Sequence, residues 1–254
     1  MDRRLLPREH GAYAQLGFPL LSGLLLGSPG AASVLFAAAA VLLFLANEPL
    51  VLLLGVRGKR PQQELAAPAR RHLALRAALG GAAGLAALWF APPAARWLAL
   101  VPAAFAAALA PVVLAKNLKT LPGEIVAAAA FSSMHLPVAA AGGVTATLLW
   151  GPPVMWFAAT VVATLCVHAI KARSMGRTPW VIPAARWTAW LALLVALAFC
   201  ALLPGWRAVA LAACLPLAGV VVLNHLSPSP KRLKQVGWTL TAANALALTV
   251  LAAG

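Results

Sequence analysis

Side chains able to do chemistry are scarce in this sequence, so their positions carry information. There are five carboxylates, Asp2, Glu9, Glu48, Glu64 and Glu124, against twenty lysines and arginines. Asp2 and Glu64 fall in a polar terminus and a polar connection, and neither is assigned a role. Glu48 is different, because Asn47-Glu48-Pro49 interrupts an apolar run. Proline removes a backbone donor and can open a kink. A carboxylate beside that kink could serve as a base or a ligand, and Glu48 is the leading catalytic candidate. The structural alternative is an ion pair with a basic residue of a neighbouring helix, because ionisable groups inside a membrane usually face a cavity or a partner.

Four further groups accompany this candidate. Arg8, Glu9 and His10 open the first apolar run. They read either as a polar cluster closing a cytoplasmic cavity, or as a helix start with Glu at the positive dipole end and Arg on lipid phosphate. Lys116, Asn117 and Lys119 precede Pro122-Gly123-Glu124, where proline suits a first helical turn and Glu its dipole. His168 and Lys171 are three residues apart and share a helical face. With Arg173 they could grip an anionic head group or diphosphate, or simply fix topology. Ser132, Ser133 and His135 lie deeper, and a lone membrane histidine reads first as a hydrogen bond across helices. If the ionisable groups act together, Glu9, His10, Asn47, Glu48, Lys116, Glu124, His168 and Lys171 should line one cytoplasmic cavity. No phosphate loop, Cys/His metal cluster or nucleophile elbow is present, so no metal site and no cofactor is expected. Cys166, Cys200 and Cys214 sit in apolar segments without metal-type spacing.

The elements that must position these groups are membrane helices. Of 254 residues, 63% are hydrophobic and 10% charged, too few charges to cover a water-soluble surface. Apolar runs predict nine transmembrane helices, at about 11–27, 32–55, 73–91, 97–115, 122–141, 152–170, 187–203, 208–224 and 237–253. The expected fold is a single all-α transmembrane domain over 1–254, with an uncleaved first helix and a basic interfacial loop at about 56–72. With the N-terminus inside, eighteen of the twenty lysines and arginines fall on the cytoplasmic side, and only Arg96 and Arg207 fall outside. That asymmetry is the positive-inside signal, and it puts the C-terminus outside. The net charge of +15 thus serves topology and contact with anionic lipid, not nucleic acid, because the cations flank apolar runs instead of interleaving with aromatics. His225 and the Lys231–Lys234 run read as interfacial anchors. No internal repeat is evident, which counts against a secondary transporter.

Pro-Arg-Glu-His-Gly-Ala-Tyr at 7–13, Lys116…Glu124…Phe131-Ser132-Ser133, His168-Ala-Ile-Lys-Ala-Arg173 and Pro230-Lys-Arg-Leu-Lys-Gln-Val-Gly-Trp238 together resemble the YwiC-like family of bacterial membrane proteins. That resemblance implies a multi-pass protein of the bacterial cytoplasmic (inner) membrane and carries no established activity. Nine helices with polar motifs at the cytoplasmic ends of the second, fourth and sixth also look like the UbiA-type prenyltransferases. That more distant likeness implies a UbiA-like helical bundle and an isoprenoid, diphosphate-type ligand. In those enzymes two Asp-rich motifs hold magnesium on the diphosphate. Here Asn47-Glu48 would begin the first motif, Val51 stands at its third ligand, and His168 to Ala172 replaces the second. Magnesium needs oxygen ligands, so two-magnesium prenyl transfer is not expected. The sequence therefore points to a cytoplasm-facing site for a lipid-like or anionic ligand. A small-molecule permease and a divergent prenyl or lipid transferase are the alternatives.

The topology is directly testable. A reporter active only in the cytoplasm should be active when fused after Gly176 and silent after Gly143. The reverse pattern would end the N-inside, nine-helix scheme.

Overall fold

The computed structural model describes residues 3–7, 10–176 and 178–254. Among them all regular structure is helical, and nine helices follow the nine expected runs. They are α1 (His10–Leu25), α2 (Ala31–Leu53), α3 (Lys59–Phe90), α4 (Pro93–Leu114), α5 (Leu121–Ala141), α6 (Ala146–Met175), α7 (Val181–Leu202), α8 (Pro204–Leu226) and α9 (Pro230–Ala253). α4 is interrupted at Ala99 and α5 at Met134, while α8 and α9 each open with one 3-10 turn. Eight of the nine are long and apolar enough to span a bilayer. α1, at 16 residues, is shorter. The chain is a multi-pass membrane protein.

Several helices run past their apolar cores. The sequence predicts the third from about residue 73, after a basic loop, yet α3 starts at Lys59. Its composition accounts for the difference. Residues 59–72 are rich in Ala, Gln and Arg, all good helix formers; Pro61 sits in the first turn and Pro68 lies farther along the helix. Arg60 and Glu64 pair one turn apart at 2.8 Å. Leu65 and Ala69, also one turn apart, bury against Leu52 of α2 and Leu5 of the N-terminal segment. Hydropathy locates the lipid-facing core of a helix and misses its solvated end. At 1.5 Å per residue the 32 residues of α3 span roughly 48 Å against a hydrocarbon core of about 30 Å. The first turns of α3 therefore stand beyond the membrane, with the N-terminal segment docked on them.

The bundle packs as two groups of helices. In the first, Leu16 and Leu20 of α1, Phe36 and Ala40 of α2, Ala95 of α4 and Val138 of α5 share one core. In the second, Cys166 and Ile170 of α6 pack with Ala189 of α7, Val220 of α8 and Leu240 of α9. α1 bridges the groups, its Phe18 ring stacked on Trp156 of α6 at 5.5 Å. Leu85, Trp89, Trp97, Trp187 and Leu202 stay exposed, as lipid-facing and interfacial residues must.

Prolines inside these helices create a problem that water cannot solve at membrane depth. Pro49 has no N–H to give to the Leu45 carbonyl, one turn back. Arg76 of α3 supplies the missing donor, its Nη1 reaching both the Leu45 carbonyl and, at 3.0 Å, the Leu5 carbonyl. In the count of charges by side Arg76 is one of the eighteen cytoplasmic cations. In the structure it is a buried arginine in the body of a helix. Pro152 likewise frees the Leu148 carbonyl, and His135 Nε2 meets it at 2.8 Å.

Arg76→Leu should destabilise the protein by about 1–3 kcal/mol, because it strands buried acceptors. Pro49→Ala returns an N–H to Leu45, so the same substitution in that background should cost about 1 kcal/mol less. Denaturant unfolding in mixed micelles measures the cycle, and strictly additive costs would refute the repair role.

Candidate functional site

Glu48 lies on α2 with its side chain buried, and it is held from its own hairpin. The turn at residues 54–58 reverses through Gly55 and Gly58, both at positive φ, which glycine adopts without strain. A Cβ on Gly55 would meet Gln62 Oε1 at 2.9 Å, and Gln62 donates to the Leu53 carbonyl at 2.6 Å. This tight reversal sends Arg57 back along α2. Its Nε donates to Glu48 Oε1 at 2.8 Å and its Nη2 to Oε2 at 2.7 Å. The fork occupies both carboxylate oxygens, the strongest geometry available to this pair. Glu48 is therefore in an ion pair, though its partner comes from the following turn and not from a neighbouring helix. Asn47 is half-buried beside it. Tyr13 of α1 lies within electrostatic reach of both Glu48 and Arg76, and its ring meets Phe44 edge-on at 5.2 Å.

A second polar pair forms between α5 and α6. Thr120 caps α5 by accepting the Gly123 N–H at 3.4 Å, and Pro122 and Glu124 fill the first turn. Gly123 has no room for a side chain, since a Cβ would collide with the Asn117 carbonyl. That contact folds the 115–120 loop onto the start of α5. Glu124 Oε2 then meets His168 Nε2 of α6 at 2.8 Å, with both groups partly exposed. Lys116, Asn117 and Lys119 are on the loop, where Lys116 takes φ 59°. Lys171 is half-buried one turn beyond His168. Arg173 turns toward α8, where Nη2 meets the Asn224 carbonyl at 3.4 Å. Arg8 and Glu9 lie outside the described residues, as does the side chain of His10. The structure thus joins Glu124 with His168 and gives Glu48 a separate partner. Among the described residues no group of three His, Cys, Asp or Glu side chains is arranged for a metal.

Sequence reasoning missed one membrane-depth cluster. His135 is fully buried, with Nδ1 2.9 Å from Ser22 Oγ of α1. The Trp156 indole N–H donates to the same oxygen at 3.0 Å. A carbonyl only accepts, so His135 Nε2 carries the hydrogen toward Leu148, while the single Ser22 hydroxyl hydrogen lies within reach of both the Pro19 carbonyl, at 2.9 Å, and His135 Nδ1. The cluster ties α1, α5 and α6 together. His135 was readable as such a bond, but a single serine and a single tryptophan in apolar runs give no periodic signal.

Comparison with known proteins decides the family. The family model for YwiC-like protein matches residues 6–140, which run from the N-terminal segment to the end of α5. The chain belongs to the YwiC-like family. No curated protein and no solved structure matches it. In this YwiC-like protein the matched part is close to the first packing group, and it contains the Glu48–Arg57 fork, Arg76 and one half of the Glu124–His168 pair.

Glu48→Gln should destabilise this YwiC-like protein by about 3 kcal/mol, the low end for breaking a buried pair, because Arg57 retains some access to solvent. The charge-reversed pair Glu48→Arg with Arg57→Glu should recover part of the loss. Thermal unfolding in detergent checks both, and an unaffected Glu48→Gln variant would show that the fork is dispensable.

Proposed function

We propose that this YwiC-like protein binds an anionic, lipid-like ligand at the cytoplasmic end of the α5–α6 contact, in the inner membrane of a bacterium. The observation that supports this reading is the 2.8 Å Glu124–His168 contact. It brings the loop carrying Lys116 and Lys119 alongside the helix end carrying Lys171 and Arg173. Glu124 and His168 provide an acceptor and a donor at the rim, while the lysines offer point charges suited to a phosphate or diphosphate. Charge neutralisation by cations needs no divalent metal, which fits a chain with one aspartate, at position 2. Asn117 adds a neutral donor and acceptor.

The alternatives have less behind them. A UbiA-like transferase would use Glu48 as base or metal ligand, yet both its oxygens bind Arg57. A permease needs polar side chains along a path through the outer half of the membrane. Ser22, His135 and Trp156 are at suitable positions, but they are buried and bonded to one another. They read as a lock.

Purified protein titrated with an isoprenyl diphosphate should show binding that weakens with salt and ignores chelator. Lys119→Gln and Lys171→Gln should each weaken it about fivefold at low ionic strength. Salt-insensitive binding unaffected by both changes would overturn the site. Product formed with an aromatic acceptor and abolished by EDTA would establish the transferase instead.

A further inference from the structure

A groove of about 550 Å³ lies between α1 and α9, within the range of small-molecule sites, about 300–1,000 Å³. None of the residues of the α5–α6 site lines it, so the two sites stand or fall separately. Its position follows from topology. In the N-inside scheme α1 and α9 both begin at the cytoplasmic face, so their first turns sit at the same depth. From α1 come Gly11, Tyr13 and Gly17, and from α9 come Lys234, Gly237 and Trp238. Gly11 and Tyr13, from the first sequence motif, and Lys234, Gly237 and Trp238, from the last, thus meet on one surface.

Glycine makes the groove. A Cβ built on Gly11, Gly17 or Gly237 meets nothing within 4 Å. These glycines are therefore not required by close helix packing, and their missing side chains leave the space open. The chemistry along the groove is graded. At its cytoplasmic end Lys234 follows Lys231 and Arg232, three cations within four residues, all exposed. Trp238, 64% exposed, stands one turn deeper, at the level where indoles meet lipid head groups. Beyond it the walls are mainly apolar, through Phe18 and Leu21, and the Thr241 hydroxyl is turned back onto the Gly237 carbonyl at 2.9 Å. α9 is largely unburied along its length, so the groove opens on the lipid-facing side of the bundle.

We propose that this groove holds one anionic phospholipid of the cytoplasmic leaflet, its phosphate on Lys234 and an acyl chain along the glycine-lined floor. Charge complementarity selects the occupant. The cationic run lies in the leaflet whose surface is negative, and each lysine near that surface favours an anionic head group about fivefold. A second copy of the chain would bring its own basic run and its own share of a +15 charge to the same place.

The test uses the full-length protein, titrated with phosphatidylglycerol or phosphatidylcholine and read by native mass spectrometry. Wild type should retain one phosphatidylglycerol in preference to phosphatidylcholine. Lys234→Gln should reduce that preference about fivefold. Gly237→Leu projects a side chain into the open groove and should abolish retention with an unchanged melting temperature. Gly17→Leu makes the same test from α1, should the first variant fail to fold. Equal retention of the two lipids by wild type would overturn the proposal. So would undiminished phosphatidylglycerol binding in a folded filling variant, or a dimer that Gly237→Leu dissociates.

Discussion

Inside a bilayer no water completes a broken helix, and this bundle is organised around that constraint. Each backbone carbonyl freed by a proline needs a donor from somewhere else. Arg76 answers for Leu45 and His135 for Leu148, and in both cases the donor comes from another helix. A proline thus becomes a point of attachment. The α2–α3 hairpin is pinned where Pro49 interrupts it, and α6 is pinned to α5 where Pro152 does. Ser22 and Trp156 extend the second attachment to α1. At these two places a cationic and an imidazole side chain are what allows kinked helices to exist in lipid.

The same logic separates polar groups at depth from those at the rim. Glu48 and Arg57 form a closed fork with both oxygens occupied. Glu124 and His168 share a single contact and stay partly exposed, leaving Glu124 Oε1 and His168 Nδ1 for other partners. A closed pair holds a hairpin, whereas an open one beside several lysines can take part in recognition. This difference in satisfaction, more than residue type, distinguishes structural from candidate functional carboxylates here.

The helix number was legible because a run of apolar residues long enough to cross a bilayer is seldom anything but a membrane helix. The orientation expected from the sequence rests on the one-sided placement of lysine and arginine. Helix ends were less so. α3 begins at Lys59 because helix propensity and the Leu65–Ala69 contact carry it past the lipid boundary, which hydropathy does not register. Arg76 reads as a flank because counting charges by side ignores depth. For Glu48 an ion pair was foreseeable but its source was not, since a turn built on Gly55 and Gly58 decides which arginine folds back. Glu124 and His168 both stand out in the sequence, but their pairing is a tertiary fact, spanning 44 residues. Ser22 and Trp156 were silent because one hydroxyl and one indole among alanines and leucines mark no face.

Arg76 also has a place in time. Ribosomes deliver α1 and α2 before α3, so the Leu5 and Leu45 carbonyls are already made when Arg76 is synthesised. The most awkward cation in the chain enters the bilayer with its acceptors waiting, and a guanidinium exposed to lipid is avoided during biogenesis. Ser22 and His135 have the opposite schedule, since Leu148 and Trp156 follow them. Five helices can therefore assemble around the early clasp, while the later one closes only when α6 arrives and draws the last four helices onto a scaffold already in place.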